Sequence, residues 1–102
     1  MSEALRSLAG LDRTIHEPAR LMIVSLLYLQ KEADFLWLLE QTELTKGNLS
    51  AHLAKLEEAG YIEVDKRFRG KIPQTILRLT KSGRGGLDEY RRTLKKAMNA
   101  AG

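Results

Sequence analysis

The chain has 102 residues, 43% of them hydrophobic and 29% charged, and no cysteine; this fits one domain, 1–102, and excludes disulfide frameworks, thiolate metal sites and thiol redox switching. No apolar run approaches the roughly 20 residues that cross a bilayer, and the first residues, "SEALRSLAGLDR", are amphipathic and charged where a leader would be basic and then apolar, so a cytoplasmic protein with no membrane partner is expected. Net charge is +4, but residues 1–45 hold 4 Lys/Arg against 7 Asp/Glu while residues 46–102 hold 13 against 6, an asymmetry that suits either a polyanion partner or a solvated basic surface.

In chain order the pattern predicts α, α, α, α, β, β, α. Ser2 can cap a first helix within 1–15, with Leu5, Leu8 and Leu11 as its apolar stripe. "IHEPARLMIVSLLYLQ" opens a second helix with Pro18 in its first turn, where a missing N–H costs nothing. Leu21, Val24, Leu27 and Tyr28 repeat at helical spacing and Ile23 and Leu26 widen that face, so this is a central core helix. Asp34 then caps the short apolar helix "FLWLLEQT", and "TEL" leaves room only for a tight turn before Thr45 opens the next.

That next helix, in "LTKGNLSAHLAKLEEAGYI", is two-sided. On a wheel of 100° per residue, Leu49, Leu53 and Leu56 form a wedge about 60° wide. The opposite pole is Gly47 and Ala51, flanked by Asn48 and Lys55 on one side and Ala54 on the other, with Ser50 and His52 on the flanks. Small residues at a pole allow close approach to another surface, and Lys, Asn and Ser beside them offer hydrogen bonds to base edges and phosphates. A short helix, a tight turn and a leucine-anchored second helix form a helix-turn-helix pattern.

After Gly60 the period changes to 2. "YIEVDK" and "QTILRL" alternate around "RFRGKIP", which predicts a β-hairpin with Pro73 at or just outside the edge of its second strand. Lys66, Arg67, Arg69 and Lys71 make its tip basic, opposed only by Asp65. Such a tip either contacts phosphates or keeps an edge hairpin soluble. Phe68 either packs on the hairpin's own backbone or touches a sugar. Thr80 or Ser82 caps the last helix, and glycines 83, 85 and 86 make a flexible start to it. Leu87, Tyr90, Leu94, Ala97 and Ala101 then run as a heptad-like stripe with Met98 beside them, which either packs on this domain or meets a second copy.

Residues 16–92 resemble winged helix-turn-helix transcriptional regulators of the MarR- and ArsR-like group. The resemblance lies in "HEPARLMIVSLL", "LTKGNLSAHLAKLEEAGYIEV" and "KRFRGKIPQTILRLTKSGR" with the helix after it. It implies a winged-helix core at 16–79, with residues 45–59 as recognition helix and 61–79 as wing. Its DNA contacts would come from Lys46, Asn48, Ser50, Ala51, His52 and Lys55, close approach at Gly47, and wing contacts from Lys66, Arg67, Arg69 and Lys71. It also implies a homodimer built by the terminal helices, 1–15 and 80–102, through Leu5, Leu8, Leu11, Leu87, Tyr90, Leu94 and Met98. With no cysteine and only His16 and His52, far apart in sequence, no metal site or cofactor is expected.

The expected protein is mainly α with a small hairpin: a dimeric, sequence-specific regulator of double-stranded DNA, acting as a repressor, with an effector of unidentified chemistry allowed. The rivals are a winged-helix protein–protein module and a nonspecific architectural DNA binder. No P-loop, dinucleotide fingerprint, nucleophile elbow or cluster of His and carboxylates suggests an enzyme.

Overall fold

The computed structural model describes residues 2–102. Helix α1, Glu3–Arg6, is capped by Ser2 Oγ, which accepts from Leu5 N at 3.1 Å. It tightens into a 3₁₀ turn at Ser7–Gly10 and stops there, well short of the helix expected through residue 15. Leu11 leaves the helix with extended ψ, and Asp12 Oδ1 then accepts from Thr14 N and Ile15 N, setting a separate turn.

Helix α2, Pro18–Leu29, starts under Glu17, whose carboxylate accepts from Ala19 N and Arg20 N, with Pro18 in the first turn as expected. Its Ile23, Val24 and Leu27 are fully buried and meet Ile15, Leu38, Leu49, Leu56 and Leu77 in the core. Asp34 caps α3, Phe35–Thr42, by accepting from Leu36 N and Trp37 N. The turn to α4, Lys46–Glu58, passes through Glu43 in the left-handed region at φ 57°. Thr45 Oγ1 caps α4 by accepting from Asn48 N at 3.1 Å.

Gly60 ends α4 at φ 79°. Its N–H donates to Glu57 O and that of Tyr61 to Leu56 O, the paired bonds of a Schellman stop. Strands β2, Ile62–Arg69, and β3, Ile72–Leu79, form the hairpin, closed by Gly70–Lys71. Only Gly70 of those two has positive φ, at 65°, the type II′ arrangement that matches strand twist.

One element was not expected. Ala33–Asp34, here β1, pairs with Leu77 and Ile76, giving a three-stranded sheet in the order β1-β3-β2. Pro73 lies inside β3 opposite Phe68, but β1 stops short of it, so that stretch of β3 has a neighbour on one side only.

Helix α5, Lys81–Ala101, is about 31 Å long. Thr80 is its cap, accepting from Gly83 N at 3.0 Å. Where a flexible start was expected the helix is regular from Lys81, and two of its three glycines there, Gly83 and Gly86, pack closely. A Cβ at Gly83 would fall far inside contact distance of the Tyr61 carbonyl and 2.8 Å from Leu79 Cδ1, and one at Gly86 would lie 3.2 Å from Ile15 Cδ1. Leu11, Leu87 and Tyr90, expected on a dimer surface, are buried in this chain's own core, because α1 and its 3₁₀ turn fold back on α5. Leu8 and Leu94 are partly buried against the same core.

The architecture is a winged helix-turn-helix with helices added at both ends. Its Cα radius of gyration is 15.4 Å and its extents 58 × 25 × 21 Å, longer than the radius of about 13 Å usual for a compact chain of 100 residues. Among the described residues, no helix is long and apolar enough to cross a membrane.

Candidate nucleic-acid interface

The leucine wedge of α4 is buried as its spacing requires: Leu49, Leu53 and Leu56 all lie in the core. Lys46, Gly47, Asn48, Ser50, Ala51, Ala54 and Lys55 are left exposed on the outer side. A Cβ at Gly47 would meet nothing within 4 Å, so this glycine keeps the outer surface low without serving internal packing.

His52 is different. Its ring is half-buried and turned toward α2, with Nδ1 3.2 Å from Arg20 Nη1 and 3.4 Å from Glu17 Oε2. Nδ1 thus faces both a guanidinium, which can only donate, and a carboxylate, which can only accept. Arg20 also donates from Nε to Thr14 O at 2.6 Å and from Nη2 to Arg13 O at 3.4 Å. Burial pushes the Glu17 carboxyl up, but the Ala19 and Arg20 N–H groups and the neighbouring His52 and Arg20 outweigh it and hold the carboxyl below its ordinary range. His52 is therefore a joint between α4 and the start of α2.

The register of the hairpin sorts its residues onto two faces. Ile62, Val64, Lys66 and Phe68 share one with Leu79, Leu77, Thr75 and Pro73; Glu63, Asp65, Arg67 and Arg69 share the other with Arg78, Ile76, Gln74 and Ile72. Val64, Lys66, Thr75 and Leu77 of the first face line a groove of about 310 Å³ together with Ser50, Leu53, Ala54 and Glu57 of α4. Lys66 thus stands across from Ser50, while Arg67 and Arg69 point to the far side.

On that far side Arg67 is already engaged. Its Nη2 lies 2.5 Å from Asp65 Oδ2 and 3.9 Å from Glu32 Oε2, and Arg78 bridges the same two carboxylates at 3.3 and 3.0 Å. Hydrogen bonds from Arg67 and then Arg78 hold the Asp65 carboxyl below its ordinary range. Asp34 is lowered too, chiefly by the Gln74 amide that donates to it at 3.0 Å. Lys71 sits in the turn and Arg69 next to it, both exposed.

Phe68 does not pack on the hairpin's own backbone; it is 72% exposed, and Ile72 on the other face is 69% exposed. The remaining histidine, His16, pairs through Nδ1 with Tyr90 OH at 2.9 Å.

Sequence reasoning missed Arg20 and Glu32, and took Asp65 only as a charge opposing the tip. Arg20 lies in the first turn of a core helix, and only the packing of α2 on α4 gives it His52 as a partner. The pairing of Asp65 with Arg67 could have been seen, since the two share a strand face two residues apart; Glu32 reaches the same group only through β1.

Residues 19–98 match the model of the winged helix DNA-binding domain family. An uncharacterised protein of Methanocaldococcus jannaschii is 40% identical over 72 residues, covering 70% of this chain and 77% of that one. The fold is similar to that of a transcriptional regulator homologue from Pyrococcus horikoshii, with a TM-score of 0.88 and 25% identity over 98% of both chains. It is also similar to the transcriptional repressor BigR from Xylella fastidiosa, with a TM-score of 0.64 and 28% identity over 84% of this chain and 82% of that one.

Proposed function

The chain belongs to the winged helix DNA-binding domain family, and from that premise we propose that this DNA-binding regulator is a sequence-specific homodimeric repressor of the cytoplasm. It inserts α4 into the major groove and sets its wing on the flanking backbone. The observation that carries this reading is the outer surface of α4. Gly47, Ala51 and Ala54 let the helix backbone approach, and Lys46, Asn48, Ser50 and Lys55 beside them can donate to bases and phosphates. Repression follows by occupancy, because a protein seated across a promoter blocks it without further machinery.

Dimerisation is supported by the elongated shape and by α5, whose Met98 remains 54% exposed. With Leu94 one turn before it on α5, Met98 offers an apolar strip for a two-fold partner. Two copies so joined would present two α4 helices to half-sites about 34 Å apart. An effector has room in a cleft of about 830 Å³ between the N-terminal turns and α5, lined by Arg6, Asp12, Tyr61, Glu89, Tyr90 and Thr93, a volume within the usual range for small-molecule sites.

The test is selection of genomic fragments by the full chain, followed by sequencing. Enrichment of a two-fold symmetric motif supports the reading. Salt-sensitive retention without enrichment would make the protein an architectural binder, and no retention would favour a protein-binding module.

A further inference from the structure

We propose that the wing tip is an apolar wedge: Phe68 and Ile72 enter a DNA minor groove beside the site read by α4, unstack a base step and bend the duplex. This rests on the DNA-binding reading above and adds to it a deformation of the DNA.

Three observations carry it. Phe68 and Ile72 are among the most exposed large apolar side chains of the molecule, at 72% and 69%. They lie within two residues of the Gly70–Lys71 turn, on opposite faces of the hairpin, so together they make the tip apolar on both sides. The surrounding chain is uniformly basic or neutral, with no Asp or Glu from residue 66 to residue 87. Lys66, Arg69 and Lys71 are exposed around the two apolar groups.

Isolated exposed hydrophobics are ordinary. Two at one tip, ringed by cations, need a partner that is anionic at its rim and apolar within. A minor groove opened at one base step has that chemistry, with phosphates along both rims and apolar base faces between the parted pairs. Its width is about 6 Å, whereas a strand pair carrying side chains on both faces is about 10 Å thick. The tip therefore cannot enter an undeformed groove. Apolar side chains driven between base steps open the groove and kink the duplex away from it, which is what Phe68 and Ile72 are placed to do. A wing resting on phosphates alone would need the lysines and arginines and gain nothing from a phenylalanine at its tip.

The experiment uses the full chain and duplexes it recovers from a random-sequence pool. These are end-labelled with a donor–acceptor dye pair and carry 2-aminopurine at successive steps flanking the selected motif. The wedge predicts a shortened end-to-end distance and a rise in 2-aminopurine emission at one flanking step on binding. Phe68→Ala with Ile72→Ala should abolish both signals and weaken binding about tenfold, the order of one lost base–aromatic stack. Phe68→Leu should retain them, and Lys71→Ala should flatten the salt dependence of affinity while leaving the bend. Since both wedge residues are exposed, the variants keep the core. Tight binding with a straight, fully stacked duplex would overturn the wedge and leave the DNA-binding reading standing. Recovery of no duplex at all would overturn both. Phe68-dependent binding to phosphatidylglycerol vesicles, with the DNA signals unchanged in the variants, would assign the tip to a membrane surface instead.

Discussion

Arg20 Nη1 on α2 lies 3.2 Å from His52 Nδ1 on α4, and the same guanidinium holds the carbonyls of Thr14 and Arg13. One side chain, 11% exposed, therefore ties the outer helix to the core helix and to the turn that precedes it. It fixes the depth and rotation of α4 from the flank of the leucine wedge, one turn from Asn48 and on the side away from Ser50.

Arg20→Ala should accordingly behave as the loss of a support. Removing its charged hydrogen bonds should cost about 1.5–3 kcal/mol of folding stability, seen as a lower urea midpoint. DNA affinity should fall at every sequence tested, with the slope of log affinity against log salt unchanged, because Arg20 neutralises no phosphate. A reduced slope in a titration by fluorescence anisotropy would instead make Arg20 a direct contact.

Asp65 gives the opposite expectation. Its Oδ2 accepts from Arg67 and Arg78, so it withholds the Arg67 charge from any polyanion. Asp65→Ala should free that guanidinium, tighten DNA binding and steepen the salt slope by about one. Arg67→Ala in the native background should then change the slope less than Lys71→Ala, whose lysine has no acidic neighbour on its own turn. Equal effects of the two would mean that Asp65 releases Arg67 on binding.

Much of this was legible in the sequence, and the limits have physical causes. The α4 wedge, the Asp34 and Thr45 caps, the Gly60 stop and the two strands follow from local periodicity and capping chemistry, which act over a few residues. The two-residue β1 carries no periodicity, since it exists only because β3 passes beside it. The fate of Leu11, Leu87 and Tyr90 was equally hidden: a stripe at heptad spacing looks the same whether it meets a second copy or its own α1. Arg67 and Lys66 differ by one position, so strand alternation sets them on opposite faces, but only the packing of the hairpin on α4 shows which of the two faces that helix.

Tyr61 is where the wing base, α5 and the N-terminal turn meet. Its hydroxyl donates to Asp12 Oδ2, and that bond, followed by burial and the Asp12 charge, pushes its pKa up to about 12. The folded value lies above the ordinary 10.0, and the phenol is stabilised in its neutral form. Between those two values the unfolded chain has lost a proton that the folded chain retains. The contribution is therefore complete below pH 10 and declines as pH rises toward 12. Tyr61 should titrate late in an absorbance scan at alkaline pH. Tyr61→Phe should lose about 1 kcal/mol at neutral pH and flatten the alkaline fall in stability; an unchanged alkaline limb would mean that the Asp12 bond is not kept in solution.

The glycines of α5 allow a test with two signs. Alanine favours a helix interior over glycine by about 0.5–1 kcal/mol. At Gly85 the added methyl meets open space, so Gly85→Ala should raise the thermal midpoint. At Gly83 it would strike the Tyr61 carbonyl and Leu79, and the backbone cannot yield as a side chain would. Gly83→Ala should lose about 1–3 kcal/mol net of the propensity gain. Parallel shifts in the two variants would show that α5 does not press on the wing base this closely.

Met98 tests the dimer with little risk to the fold. It is 54% exposed on the last turns of α5, so Met98→Lys should change folding stability by no more than about 0.5 kcal/mol. If α5 lies against a second copy there, the substitution sets two like charges near the two-fold axis, where an isologous contact repeats every change. Sedimentation velocity at micromolar concentration should find the native chain dimeric and the variant shifted to monomer, with its circular dichroism unaltered. A nuclease footprint should then shrink from two half-sites, about 34 Å apart, to one. A native chain that is itself monomeric, protecting a single half-site, would remove the two-fold arrangement and leave one α4 and one wing to supply all of the sequence preference.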